Sequence, residues 1–156
     1  MSNETLIELV SPILDHLKKV DLNRAEEVKK GLDAAFPAGD DLVLKIRALF
    51  DTGLKEGWLC DKKGGAASFS RVAKAGEATR GFSIDAVRLA GAGVWHKHTT
   101  GEVDLCFSDT PEVKFDGFSE GWVVLPPGSD HVPTTTSGAM NILYFIPNGQ
   151  LQWTKD

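Results

Sequence analysis

The sequence predicts a mainly β protein: a jelly-roll barrel over residues 58–156, preceded by a short α-helical segment over residues 1–57. Two observations carry this. Up to about Gly57 the apolar residues recur every three or four positions, as in Leu6, Leu9, Val10, Ile13 and Leu17, which is helical spacing. After Lys62-Lys63-Gly64-Gly65 the chain breaks into short runs rich in β-branched and aromatic residues, divided by glycine, proline and aspartate about every ten residues.

In the helical part, Pro12 either kinks a first helix or sits in the first turn of a new one capped by Ser11, because an interior proline costs about 3 kcal/mol. Asn23 followed by Glu26 predicts a capping box opening a further helix. That helix should stop at Phe36-Pro37-Ala38-Gly39, and Asp40 or Asp41 then caps one running to Gly53 or Gly57. In the second part the expected strands are Ser68 to Lys74, Phe82 to Leu89, Val94 to His98, Glu102 to Phe107, Trp122 to Leu125, His131 to Thr136, Met140 to Ile146 and Leu151 to Thr154. Eight strands suit a jelly roll or small barrel.

A length of 156 residues is that of one domain with an appendage. The net charge of −5 offers no basic field to gather nucleic acid or anionic lipid, so neither is an expected partner. Cys60 and Cys106 lack CxxC spacing and read as thiols in a reducing compartment. The amino terminus has no basic stretch before an apolar run, and no run of about 18 apolar residues follows. A cytoplasmic protein is expected.

Three of the four histidines gather in the β part, in Trp95-His96-Lys97-His98-Thr99-Thr100-Gly101-Glu102 and Pro126-Pro127-Gly128-Ser129-Asp130-His131. Residues two apart in a strand share a face, so His96 and His98 can aim at one point while Lys97 turns away. A tight turn through Thr99, Thr100 and Gly101 returns Glu102 beside them. His131, from another strand, would complete three imidazoles and a carboxylate, a set suited to one divalent first-row ion. Iron and manganese come first, with zinc, nickel and cobalt also open to this ligand set. His16 lies in the helical part and is expected to be an ordinary packed or surface residue. Strand parity puts Asp104 and Cys106 on the ligand face, making Asp104 a candidate proton shuttle or else an anchoring carboxylate, and Cys106 a small buried residue. Trp95, Val103, Leu105 and Phe107 would point away, needing cover from the helical segment or from a second subunit in a homodimer or larger homo-oligomer.

Gly91 with His96-x-His98-xxx-Glu102 resembles the first cupin motif, and Gly121 with Pro126-x-Gly128-xx-His131 resembles the second. The leading glycines sit one residue closer than usual, and Thr135 stands where asparagine is common; neither departure touches a ligand. The runs GVWHKHTTGEVDLCF and FDGFSEGWVVLPPGSDHVPTTTSGAMNILYFIPNGQLQWT, after a helical region, are similar to the 4-hydroxylaminobenzoate lyases.

That resemblance implies a metal-dependent carbon–nitrogen lyase that turns 4-hydroxylaminobenzoate into protocatechuate and ammonia in the breakdown of nitroaromatic acids. The change is redox-neutral, in keeping with a sequence lacking GxGxxG after a strand or a P-loop, so no nicotinamide or flavin is expected. Glu102 and Asp104 are the catalytic candidates. A small aromatic carboxylate would need a guanidinium, from Arg71, Arg80 or Arg88, and an aromatic wall, for which Trp95 and Tyr144 are candidates. Two other readings stay open: a small ring-cleaving or thiol dioxygenase using iron and oxygen on the same ligands, and a non-catalytic ligand-sensing regulator. Against the latter, the first 57 residues hold only His16 and no cysteine that could form a second metal site.

Overall fold

The computed structural model describes residues 2–155, and its elements run helices first and strands after. Helices α1 (Asn3–Leu9) and α2 (Ser11–Leu17) meet at Val10, with Pro12 in the first turn of α2, where its missing N–H costs nothing. Ser11 is not the cap; its hydroxyl donates back to the Ile7 carbonyl. The expected Asn23–Glu26 box is also absent. Asp21 instead accepts from the Asn23 N–H and opens a single 3-10 turn, Leu22–Arg24, before α3 (Ala25–Ala35), because its carboxylate reaches that orphan donor first. Asp40 caps α4 (Asp41–Glu56) by accepting from the Leu42 N–H, and Gly57, at φ 84°, ends the helix in the left-handed conformation a glycine adopts without strain.

Ten strands follow: β1 (Lys62–Gly64), β2 (Ala67–Ala73), β3 (Phe82–Leu89), β4 (His96–His98), β5 (Glu102–Ser108), β6 (Lys114–Phe115), β7 (Gly121–Leu125), β8 (Ser129–His131), β9 (Thr135–Thr136) and β10 (Met140–Pro147). A six-stranded antiparallel sheet in the order β1-β2-β3-β10-β5-β7 faces a smaller layer formed by the pairs β4-β8 and β6-β9. Two expectations change. The run from His131 to Thr136 divides into β8 and β9 around Pro133, which has no N–H for a ladder. Leu151–Thr154 is not a strand; only Gln152 bridges, exchanging backbone hydrogen bonds with Lys97.

Alternation along β5 divides the core in two. Cys106 joins Val87, Phe115, Val123, Ile142 and Tyr144 in a cluster inside the barrel. Val103, Leu105 and Phe107 point the other way and pack with Trp122, Phe145 and the apolar stripes of the helices. Trp122 donates its indole N–H to the Phe36 carbonyl, tying the end of α3 to β7. The helical layer therefore covers the outward face of β5, which needs no second subunit to be buried. Among the described residues no helix is long and apolar enough to cross a membrane. Both cysteines are buried free thiols, and His16 packs edge-on against Phe36.

Candidate metal centre

Antiparallel pairing of β4 with β8 sets His96 directly opposite His131 and His98 opposite Ser129. The turn after β4 then delivers Glu102 at the start of β5. One donor atom from each of His96, His98, Glu102 and His131 lies within 4.8 Å of all the others. Nε2 of His96 and Nε2 of His131 are 3.1 Å apart, His98 Nε2 is 3.4 Å from Glu102 Oε2, and His96 Nε2 is 3.8 Å from Glu102 Oε1.

Each imidazole is held by its other nitrogen. His96 Nδ1 faces the Val94 carbonyl at 3.2 Å, His98 Nδ1 faces the Ser129 hydroxyl at 2.9 Å, and His131 Nδ1 pairs with the Asp116 carboxylate. Ser129 donates its proton to the Pro126 carbonyl at 2.6 Å, so towards His98 it can only accept. These partners place hydrogen on Nδ1 and leave the Nε2 lone pairs turned to the common point, the usual outer-shell arrangement of metal-binding histidines. His98 Nε2 and both Glu102 oxygens are buried without a hydrogen-bond partner. Unpaired buried polar atoms are costly, and a shared cation would satisfy all three. Three imidazole nitrogens and a carboxylate fit a divalent first-row ion.

The electrostatics of β5 are divided between two carboxyls. Burial alone would raise Glu102, but the adjacent His98, with Asp104 and His96, holds it below its ordinary value. Asp104 is fully buried, and burial together with the Glu102 charge pushes its carboxyl well above the ordinary carboxylate value. Burial also lowers the His96 imidazole, against the pull of Glu102. Cys106, buried beside Asp104, is pushed well up and stays a thiol.

The other candidates scatter. Tyr144 stands opposite Asp104 in the β5–β10 register and so shares its face. Arg71 opposes Asp85, which opposes Tyr144, so Arg71 lies on that same face. Arg80 sits in the turn before β3, bound to Asp15 of α2 and to the Ala78 carbonyl. Arg88 is on the outward face, where both terminal nitrogens grip Asp109 and one also reaches Asn141. Neither reaches the histidines, because strand parity and the turn aim them elsewhere. Trp95 turns away from the donor cluster, its indole N–H on Asp130 and Lys155 over its ring. Trp153 lies beside the donor cluster instead, its ring centroid 5.2 Å from that of His96 and 57% of its surface exposed.

The two motifs do not point to Asp116, Ser129 or Trp153. Asp116 had a signal: Asp116-Gly117 between two phenylalanines is a two-residue hairpin signature, and both residues have positive φ, 49° and 85°. Phe115 and Phe118 exchange backbone hydrogen bonds across it, and the Thr134 N–H fixes the second Asp116 oxygen.

The sequence profile of the 4-hydroxylaminobenzoate lyase family (PnbB) matches residues 8–153. A 4-hydroxylaminobenzoate lyase of Nocardioides sp. (strain LMS-CY) is 26% identical over 160 residues, spanning 96% of this chain and 94% of that protein. One of Pseudomonas putida is 25% identical over 165 residues, spanning 94% of each chain. Among solved structures, a cupin-like protein from Thermotoga maritima is similar with a TM-score of 0.40 and 12% identity, covering 56% of this chain and 75% of that one. Matched along nearly its whole length by one profile, this chain belongs to the 4-hydroxylaminobenzoate lyase family.

Proposed function

We propose that the protein converts 4-hydroxylaminobenzoate and water into protocatechuate and ammonia, using one divalent metal ion held by His96, His98, Glu102 and His131. The observation that carries this is the convergence of four donor atoms, with His98 Nε2 and both Glu102 oxygens buried and unpartnered, in a chain of this family. Cleaving the N–O bond reduces nitrogen by two electrons while the one ring carbon that exchanges hydrogen for oxygen is oxidised by two, and the carbon that exchanges nitrogen for oxygen is unchanged, so one water balances the reaction without an electron carrier. A bound first-row ion supplies Lewis acidity and lowers the pKa of water. Asp104, on the ligand face two residues from Glu102 with its carboxyl raised by burial, is the group placed to pass a proton to the departing oxygen or nitrogen. Tyr144 provides a flat wall for the aromatic ring. Trp153, over His96, narrows the approach of water.

Metal-replete protein given 4-hydroxylaminobenzoate under anaerobic conditions, without nicotinamide, should release ammonia and protocatechuate in equal amounts. His98→Ala should lose metal and turnover together. No turnover by metal-replete protein removes the lyase reading, and turnover that requires oxygen replaces it with an oxygenase.

A further inference from the structure

The inner face of the six-stranded sheet carries one polar row. Register places Arg71 of β2 opposite Asp85 of β3, Asp85 opposite Tyr144 of β10, and Tyr144 opposite Asp104 of β5. Directly opposed residues share a face at one inter-strand spacing of about 4.8 Å. Because Arg71 lays its guanidinium on Asp85, the gap from that guanidinium to Asp104 is two such steps, roughly 10 Å, close to the length of a para-substituted benzoate with a hydrogen bond at its carboxylate. Exposure falls steadily along it. The side chains of Arg71 and Asp85 are 49% and 22% exposed, while Tyr144 is 8% and Asp104 0%. The buried end adjoins the donor cluster through Glu102, two residues from Asp104, and the open end is a cation.

Arg71 differs from the other four arginines in what its guanidinium is doing. Its Nε donates to Asp85 Oδ1 at 2.6 Å, and among the described residues neither terminal nitrogen has a protein partner. Arg24, Arg47, Arg80 and Arg88 all commit terminal nitrogens to carboxylates or carbonyls. A guanidinium held by Nε presents its planar two-pronged end, the part that matches a carboxylate in bidentate fashion and that a lysine cannot reproduce.

We propose that Arg71 binds the carboxylate of an aromatic acid lying along this row, with the opposite end of the ring at the donor cluster and Asp85 as the residue that positions the guanidinium. The proposal rests on the lyase reading for the identity of the acid. It selects para-substituted over ortho-substituted acids, because the carboxylate is read at the far end of the row from the donor cluster.

The test uses the full chain loaded with metal, and two ligands that do not react, 4-aminobenzoate and aniline, followed by quenching of tryptophan fluorescence. Arg71→Met should weaken 4-aminobenzoate binding by about 30-fold or more and leave aniline unchanged, since one charge-assisted bidentate contact is lost. Arg71→Lys should recover only a minor part of that loss. Asp85→Asn should raise KM for 4-hydroxylaminobenzoate with little change in kcat, as a positioning role requires. Unchanged 4-aminobenzoate affinity in both Arg71 variants overturns the proposal, as does a native protein that prefers aniline to the acid. Native protein that binds 4-aminobenzoate through Arg71 but does not turn over 4-hydroxylaminobenzoate keeps this site and removes the lyase reading. Turnover that is indifferent to Arg71 does the reverse.

Discussion

His131 is the most exposed of the four donors, and it depends on Asp116, fifteen residues earlier, to keep its Nδ1 protonated and its ring fixed. Asp116 can do this because its two oxygens have separate tasks, one on His131 and one on the Thr134 N–H. Asp116→Asn leaves one oxygen for both and brings an N–H₂ against an N–H. Metal affinity should fall by about 10- to 100-fold, the usual cost of losing an outer-shell partner, with the fold retained. Competition with a chromogenic chelator measures it, and unchanged affinity would show that the ring is held by packing against Phe115 alone.

Among the elements, the turn between β4 and β5 links the donor cluster to the helical layer. Gly101, at φ 93°, lies under Leu22, and a Cβ there would sit 2.8 Å from Leu22 Cδ1 and 3.1 Å from the Leu125 carbonyl oxygen. Gly101→Ala should therefore destabilise the protein by about 1–3 kcal/mol, through a positive φ that alanine tolerates poorly and a contact that Leu22 must yield. Urea unfolding gives the number, and a loss well below that range would show that the turn relaxes freely. The expectation of a tight turn here came from Thr99-Thr100-Gly101 alone. The 3-10 turn that packs on it, opened by Asp21 and not by Asn23, could not be read locally, since both residues are capable caps and geometry chooses between them.

For the whole molecule, the question is whether residues 58–156 stand without residues 1–57. One hydrophobic cluster runs from Leu6 and Ile13 through Phe50 to Leu105, Trp122 and Phe145, so the outward face of the sheet is the floor of the helical layer. Expressed alone, residues 58–156 should aggregate or lack a cooperative unfolding transition, because that face becomes a large exposed apolar patch. Near-ultraviolet circular dichroism and sedimentation would check this, and a monomeric, metal-binding fragment would show that the helices are a dispensable appendage.

The helix-to-strand change of period, the positions of most strands, and the four residues of the donor cluster follow from local patterns: strand parity aligns His96 with His98, and glycine and proline mark the turns between short runs. Cross-strand partners do not follow from such patterns. Whether Arg71, Arg80 or Arg88 shares a face with Asp104 depends on register across three strand pairs, and a slip of one residue would exchange Arg71 for a neighbour facing the other way. The approach of Trp153 to His96 likewise depends on a segment that returns to Lys97 through a single bridge at Gln152. Periodicity is a property of a segment and is written in its residues, whereas register and long-range return are properties of pairs of segments, decided only when the whole core packs.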